Sequence, residues 1–137
     1  MKNRADILRL LEEHNHPKNG VVVSLDDFFV QDDNLGLIGV NLIDQPPPAK
    51  FRELFQGLLD QKKADFVYVR ITDDDGEEEW FYSDLIYVVG SIGSDDLQSS
   101  LNKLIPTEIY EGWLRKKPVN IHDDLTGKNV WSIVWDW

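Results

Sequence analysis

The stretch of sequence that decides the fold is a pair of apolar segments, Phe66-Val-Tyr-Val-Arg-Ile71 and Leu85-Ile-Tyr-Val-Val89, separated by Asp73-Asp-Asp-Gly-Glu-Glu-Glu79. Both segments are rich in β-branched and aromatic residues, which favour strands. The Asp-Gly step within Asp73–Gly76 tolerates the positive φ angles of a tight hairpin turn. We therefore expect two antiparallel strands joined by a hairpin, which makes the sheet at least partly antiparallel.

Further strands are predicted on both sides of this hairpin. Val21–Val23 is β-branched and unbroken, which predicts a strand covered on both faces. Leu37–Leu42 and Asn129–Trp137 show the two-residue alternation of strands. One face of the last strand comprises Trp131, Ile133, Trp135 and Trp137.

The clearest helix follows Pro46-Pro-Pro48, because proline suits the first helical turn and apolar residues recur beyond it at helical spacing. Its apolar stripe comprises Phe51, Leu54, Phe55, Leu58 and Leu59. A helix over Asn3–His14, a short helical turn capped by Ser24 and a helix capped by Ser94 are also predicted. The apolar face of the helix after Ser94 comprises Leu97, Leu101, Leu104 and Ile105. Pro106 is expected to begin a helical piece that extends toward Trp113, and Arg115–Gly127 to form a loop.

Together these elements predict an α+β fold. A chain of 137 residues has the length of one domain, so we expect a single α+β domain over residues 1–137. Its sheet is expected to be mixed or mostly antiparallel, with about five to six strands and with the helices packed mainly on one face.

The net charge of −11 is concentrated in the middle of the chain, where seventeen acidic residues between Val21 and Leu101 outnumber five basic ones. Such a negative field repels nucleic-acid phosphates and anionic membranes, and it attracts basic partners. We therefore expect a basic protein partner, no nucleic acid and no membrane. Maintenance of solubility is the other explanation of the acidic residues.

The chain contains no cysteine, which excludes disulfides, thiolate metal sites and a cysteine nucleophile. Charges are scattered through Met1–Glu13, which therefore lacks the apolar core of a signal peptide. No apolar run approaches the roughly 18 residues of a membrane helix. A cytoplasmic location is expected, and no cofactor is predicted.

Two acidic groups are candidates for a functional surface. Asp73–Glu79 places six acids around one glycine, but the EF-hand pattern fails because its sixth position is Glu78. This segment therefore predicts a solvated hairpin tip, with cation binding as the alternative. The second group flanks Phe28–Phe29, where a helix cap and a polar loop explain the acids more simply than acid–base chemistry does. The predicted partner-binding residues are Asp26, Asp27, Asp32, Asp33, Asp73, Asp74, Asp75, Glu77, Glu78, Glu79 and Trp137.

Histidines are the remaining candidates for chemistry. His14-Asn-His16 lies at the end of a predicted helix, and His122 precedes Asp123-Asp124 in a predicted loop. A site that joins the two segments requires a contact in the fold that local sequence does not reveal. The His-Glu-x-x-His and Gly-x-Ser-x-Gly motifs are both missing from the sequence, so no catalytic or metal-binding residue is assigned.

Three groups of residues resemble a family of small, acidic, uncharacterised bacterial domains. They lie within Val22–Phe29, as Val22, Ser24, Leu25, Asp27, Phe28 and Phe29; within Gly36–Leu42; and within Pro106–Trp113, as Pro106, Glu108, Gly112 and Trp113. This resemblance implies no established activity. In composition the chain also resembles bacterial immunity proteins, which are small, acidic and rich in tryptophan.

Three hypotheses about function follow. The first is a protein-binding domain, with an immunity-type protein as its specific form, that masks a basic partner with the two acidic groups. The second is a metal-dependent or carboxylate-based hydrolase that uses scattered Asp, Glu and His side chains. The third is a subunit of a homo-oligomer that uses the Trp131–Trp137 strand as its interface. The sequence favours a protein without catalytic activity.

Overall fold

The computed structural model describes residues 4–16, 18–29, 46–71, 73–74 and 81–135. The helices are α1 (Arg4–Glu13), α2 (Leu25–Phe28), α3 (Pro48–Asp60) and α4 (Ser94–Leu101), and a 3₁₀ turn, Asn102–Leu104, follows α4. The strands are β1 (Val22–Val23), β2 (Ala64–Arg70), β3 (Asp73–Asp74), β4 (Phe81–Tyr82), β5 (Leu85–Gly90), β6 (Glu108–Glu111) and β7 (Asn129–Val134). The predicted strand Leu37–Leu42 lies outside the described residues.

A five-stranded antiparallel sheet organises the fold, with the strand order β1-β2-β5-β7-β6. The central strands β2 and β5 pair with Tyr68 opposite Tyr87, which confirms the predicted antiparallel pair. Asp73 and Asp74, predicted to be turn residues, instead belong to β3 and pair with Tyr82 and Phe81 of β4. The turn prediction was wrong at these two positions because strand pairing continues beyond Arg70 as a second, short ladder.

The four helices pack on one face of the sheet, as predicted. Trp135 is fully buried there and makes edge contacts with Phe51 and Phe55 of α3, with ring centroids 5.1 and 6.2 Å apart. Its indole Nε1–H donates to the carbonyl oxygen of Leu104 at 2.9 Å, so the ring is buried without leaving a polar group unpaired. The Trp131 indole donates in the same way to Ile92 at 3.0 Å.

The opposite face of the sheet is covered by the loop of residues 112–128, which contains neither helix nor strand. Ile121 packs in a second apolar cluster with Tyr87 and Val22. Val21 and Val23 belong to the cluster under the helices, so β1 is buried on both faces, as its unbroken β-branched sequence predicted.

The residues predicted to begin the helices are confirmed for α2 and α3 but not for α4. The Ser24 hydroxyl accepts a hydrogen bond from the Asp27 N–H at 3.2 Å, which confirms the predicted cap of α2. Pro48 lies at the start of α3, as expected. The predicted cap at Ser94 was wrong, because Gly93 occupies the N-cap position and Ser94 is the first helical residue.

The segment after α4 departs from prediction. Residues expected to form a helical piece after Pro106 form β6, because Glu108–Glu111 pairs with β7. Ile105, expected on the buried face, is half exposed and has the left-handed conformation, with φ of 52°.

Strand β7 lies between β5 and β6, so Trp131 and Trp135 are core residues rather than the oligomer interface proposed from sequence. Trp137 lies outside the described residues.

None of the helices that the structure describes has both the length and the apolar character needed to cross a membrane.

Two glycines test how tightly the layers pack. A Cβ added to Gly90 would lie 2.7 Å from the Ala64 Cα and the Lys63 oxygen, so Gly90→Ala should lower the free energy of unfolding by about 1–3 kcal/mol. A Cβ on Gly57, within α3, would meet only the Gln61 amide at 3.9 Å. Gly57→Ala should therefore raise the free energy of unfolding by about 0.5–1 kcal/mol. Chemical denaturation of both variants measures the difference, and equal effects would contradict the packing described.

The polar contact between sheet and loop is also testable. The buried Tyr87 hydroxyl accepts from Arg70 at 2.8 Å and donates to the Leu114 carbonyl at 3.0 Å. Tyr87→Phe leaves that carbonyl unpaired and should cost about 1–3 kcal/mol of stability. Tyr110→Phe is the matched control, because the Tyr110 hydroxyl bonds the exposed Glu108 and its loss should cost about 0.5 kcal/mol or less. Equal losses in denaturation midpoints would argue against the loop contact.

Candidate functional site

An open cleft of about 590 Å³ lies where β1 and β2 meet the helices and the loop of residues 112–128. We call it the β2-edge cleft. Its apolar lining residues are Leu10, Val22, Val23, Leu59, Phe66, Val67 and Tyr68. Its polar lining residues are His14, Ser24, Asp27, Asp65, Asn120, His122 and Asp123.

The cleft exists because β1 is much shorter than β2. Strand β1 pairs with only Arg70 and Val69 of β2, and the chain then turns into α2 at Ser24. Among the residues that the structure describes, the rest of β2, from Ala64 to Tyr68, pairs only with β5. The side of β2 beyond the end of β1 forms the floor of the β2-edge cleft.

The loop of residues 112–128 forms one wall and is fastened directly to β1. The Asn120 side-chain amide accepts from the Val22 N–H at 3.0 Å and donates to the Val22 carbonyl at 2.7 Å. The Val119 N–H donates to the Gly20 carbonyl at 3.0 Å. These bonds satisfy the outer edge of β1 and fix His122 and Asp123 beside the cleft.

The charge of the lining is negative. Asp27, Asp65 and Asp123 line the β2-edge cleft, and no lysine or arginine of the described chain belongs to its lining. Asp65 forms an ion pair with Lys128 at 2.9 Å, which offsets part of its charge. Next to the cleft, the hydrogen bonds from Thr126 lower the pKa of Asp124, so that carboxyl stays ionised to a lower pH than usual.

The two histidine segments are brought together in part. His14 and His122 both line the cleft, although no local pattern predicts that they meet. His16 is directed elsewhere, since its Nε2 lies 3.0 Å from the Ile71 carbonyl oxygen. Over the described ranges, no group of three or more His, Cys, Asp or Glu side chains is arranged to hold a metal ion.

The predicted partner-binding residues are divided by the structure. Asp27 lines the cleft, whereas neighbouring Asp26 accepts from Arg52 of α3 at 2.7 Å. Arg52 also donates to the Phe29 carbonyl at 3.1 Å, so the Asp26–Arg52 pair joins α2 to α3. For Asp73 and Asp74 only the backbone is described, and Asp32, Asp33, Asp75, Glu77, Glu78, Glu79 and Trp137 lie outside the described residues.

Sequence reasoning missed Asp65, Tyr68 and Asn120. Tyr68 belongs to the predicted strand Phe66–Ile71 and Asp65 directly precedes it, but nothing local indicates that, among the described residues, this part of β2 pairs only with β5. Asn120 contacts a residue 98 positions away, which no local pattern encodes. The one available signal was the acidic His122-Asp-Asp124 run in the loop.

This structure defines a small α+β protein with an acidic cleft at one edge of an antiparallel sheet. The chain belongs to the Uncharacterized protein YfbO family, whose model matches residues 2–133. It is 29% identical over 93 residues to the Uncharacterized protein YfbO of Escherichia coli (strain K12). That match covers 67% of this chain and 66% of the relative, just under two thirds of its length. No solved structure matches the chain significantly.

The resemblance to an uncharacterised bacterial family is confirmed by these matches. They do not confirm the likeness to immunity proteins.

Because of Tyr68, the free energy of unfolding should fall as the pH rises in the alkaline range. Burial, and then its 2.5 Å hydrogen bond to Asp123 and the charge of that carboxylate, raise the Tyr68 pKa. Above about pH 10 the unfolded chain loses this phenolic proton while the native protein keeps it, so stability falls as pH rises. Tyr68→Phe should weaken the fall, as measured by urea denaturation from about pH 9 to 11. An unchanged slope would contradict the raised Tyr68 pKa.

Proposed function

We propose that this protein binds a basic protein partner and that the β2-edge cleft is the contact surface. The observation that carries the proposal is the combination of an apolar floor with three lining carboxylates. An apolar centre contributes affinity, and a charged rim accelerates association and selects partners of opposite charge. The net charge of −11 extends the same preference beyond the cleft.

The immunity-type function expected from composition is a specific form of this proposal. A protein of that kind masks a basic partner by covering it. The cleft supports such a role because its walls come from three different parts of the chain, the helices, β2 and the loop. A surface built from packed elements keeps its shape on binding and loses less conformational freedom.

The hydrolase alternative is less well supported by the geometry. Acid–base catalysis needs carboxyl or imidazole groups directed at a reacting bond. Lining carboxylates already have partners within the protein, since Asp65 pairs with Lys128 and Asp123 accepts from the Tyr68 hydroxyl. These contacts favour fixed negative charge over proton transfer.

Affinity capture with a matched pair of variants tests the proposal. The immobilised protein should retain a basic protein from a lysate of the organism that encodes it. Asp27→Asn/Asp123→Asn should lose that protein, because it removes two charges from the cleft. Glu53→Gln/Asp95→Asn removes two charges from exposed positions of α3 and α4 and should retain it.

Salt provides a second readout of the same capture. At about 1 M salt the Debye length falls to about 3 Å, so a contact that depends on charge should release the basic protein. Retention at high salt, or equal retention by both double variants, would contradict an acidic cleft as the contact surface. Mass spectrometry identifies the retained protein, and its sequence gives its charge.

A further inference from the structure

We propose that the partner contributes an extended segment that adds to the edge of β2 beyond the end of β1 as a short strand, in line with β1. This inference rests on the proposed function and specifies how the β2-edge cleft is filled. Its basis is the direction of the backbone groups of β2, which the register of the sheet determines.

The register places the Val67 peptide groups toward the cleft. In an antiparallel pair, every second residue directs its N–H and C=O at the same neighbour. The Ile71 N–H donates to Val21 at 3.0 Å, and Val69 is opposite Val23, so Ile71 and Val69 face β1. The next residue in this alternation is Val67, and β1 has already ended at Val23. The intervening residues, Phe66 and Tyr68, face β5 instead.

Val67 therefore has peptide groups that face a cleft rather than a strand. Val67 is only 6% exposed, and among the described residues no strand or side chain pairs with it on this side. Buried backbone groups are nearly always hydrogen-bonded, so within the described part of the chain this edge lacks a partner that folding normally supplies. At Val22 the chain satisfies the equivalent need itself, with the Asn120 amide in place of a strand.

The two faces of β2 specify the side chains that the added strand would carry. Residues directly opposite one another in an antiparallel pair share a face. A residue opposite Val67 would direct its side chain to the helix face, between Leu10 and Leu59, which favours an apolar side chain. Its two neighbours would project on the other face, beside Asp123 and the loop wall, which favours lysine or arginine. The expected segment therefore alternates basic and apolar residues.

Synthetic peptides test this mode without altering the protein. The probe is a blocked seven-residue peptide in which arginine alternates with valine, and the control alternates glutamate with valine. Binding is followed by NMR of the full chain, through the chemical shift and hydrogen exchange of the Val67 amide. The arginine peptide should slow exchange at Val67, whereas the glutamate peptide should have no effect.

Backbone methylation of the peptide separates strand addition from simple charge attraction. N-methylation of the central residue, whose N–H is required opposite Val67, should weaken binding by about tenfold or more. N-methylation of the adjacent residue, whose N–H points away from β2, should weaken it far less. Charge and side chains are identical in these two peptides.

The outcomes distinguish this inference from the function on which it rests. If the arginine peptide binds but Val67 exchange is unchanged, or if both methylated peptides bind equally, strand addition is wrong and charge-based binding stands. If a basic partner is captured through the cleft but no alternating peptide binds, strand addition is again wrong. If neither partner nor peptide binds, both proposals fail.

Discussion

The Arg70 guanidinium is the contact that fixes the loop of residues 112–128 on the sheet. Its Nη1 donates to the Tyr87 hydroxyl at 2.8 Å and to the Lys116 carbonyl at 3.0 Å. The guanidinium also packs so closely on Gly20 that a Cβ there would lie 2.6 Å from it. A loop without regular structure supplies few backbone bonds of its own, so side chains of the sheet must supply them. The buried Ser132 hydroxyl does this too, since it accepts from the Leu114 N–H and donates to the Gly112 carbonyl.

The β2-edge cleft depends on this loop contact. The same loop carries Asn120 to β1 and places His122 and Asp123 beside β2. The contacts that hold this loop on the sheet therefore also position one wall of the cleft. The two faces of the sheet thus differ in how they are made. Helices cover one face mainly through a large apolar cluster, whereas a smaller apolar cluster and several hydrogen bonds to a loop cover the other.

In the part of the chain that the structure describes, the edge of β2 from Ala64 to Tyr68 has no strand beside it, which is a feature that proteins usually avoid. An exposed edge strand invites pairing with any other extended chain, and aggregation is the common consequence. Here the helices, the loop and the lining carboxylates flank that edge, so access is restricted by shape and by charge. These features suit a surface that pairs selectively, because a wrong partner would leave desolvated carboxylates without counter-charges.

Local sequence determined the elements whose signals are local. The stripe from Phe51 to Leu59, the unbroken Val21–Val23 run and the Ser24 cap predicted α3, β1 and α2, because periodicity and capping act within a few residues. Tertiary structure alone decided that Glu108–Glu111 is a strand, since pairing with β7 overrides weak local preference. It also decided the cleft, whose lining residues come from distant parts of the chain, as the Val22–Asn120 contact across 98 positions illustrates. No local rule encodes such contacts, because they arise only when the sheet and its covering loop are packed together.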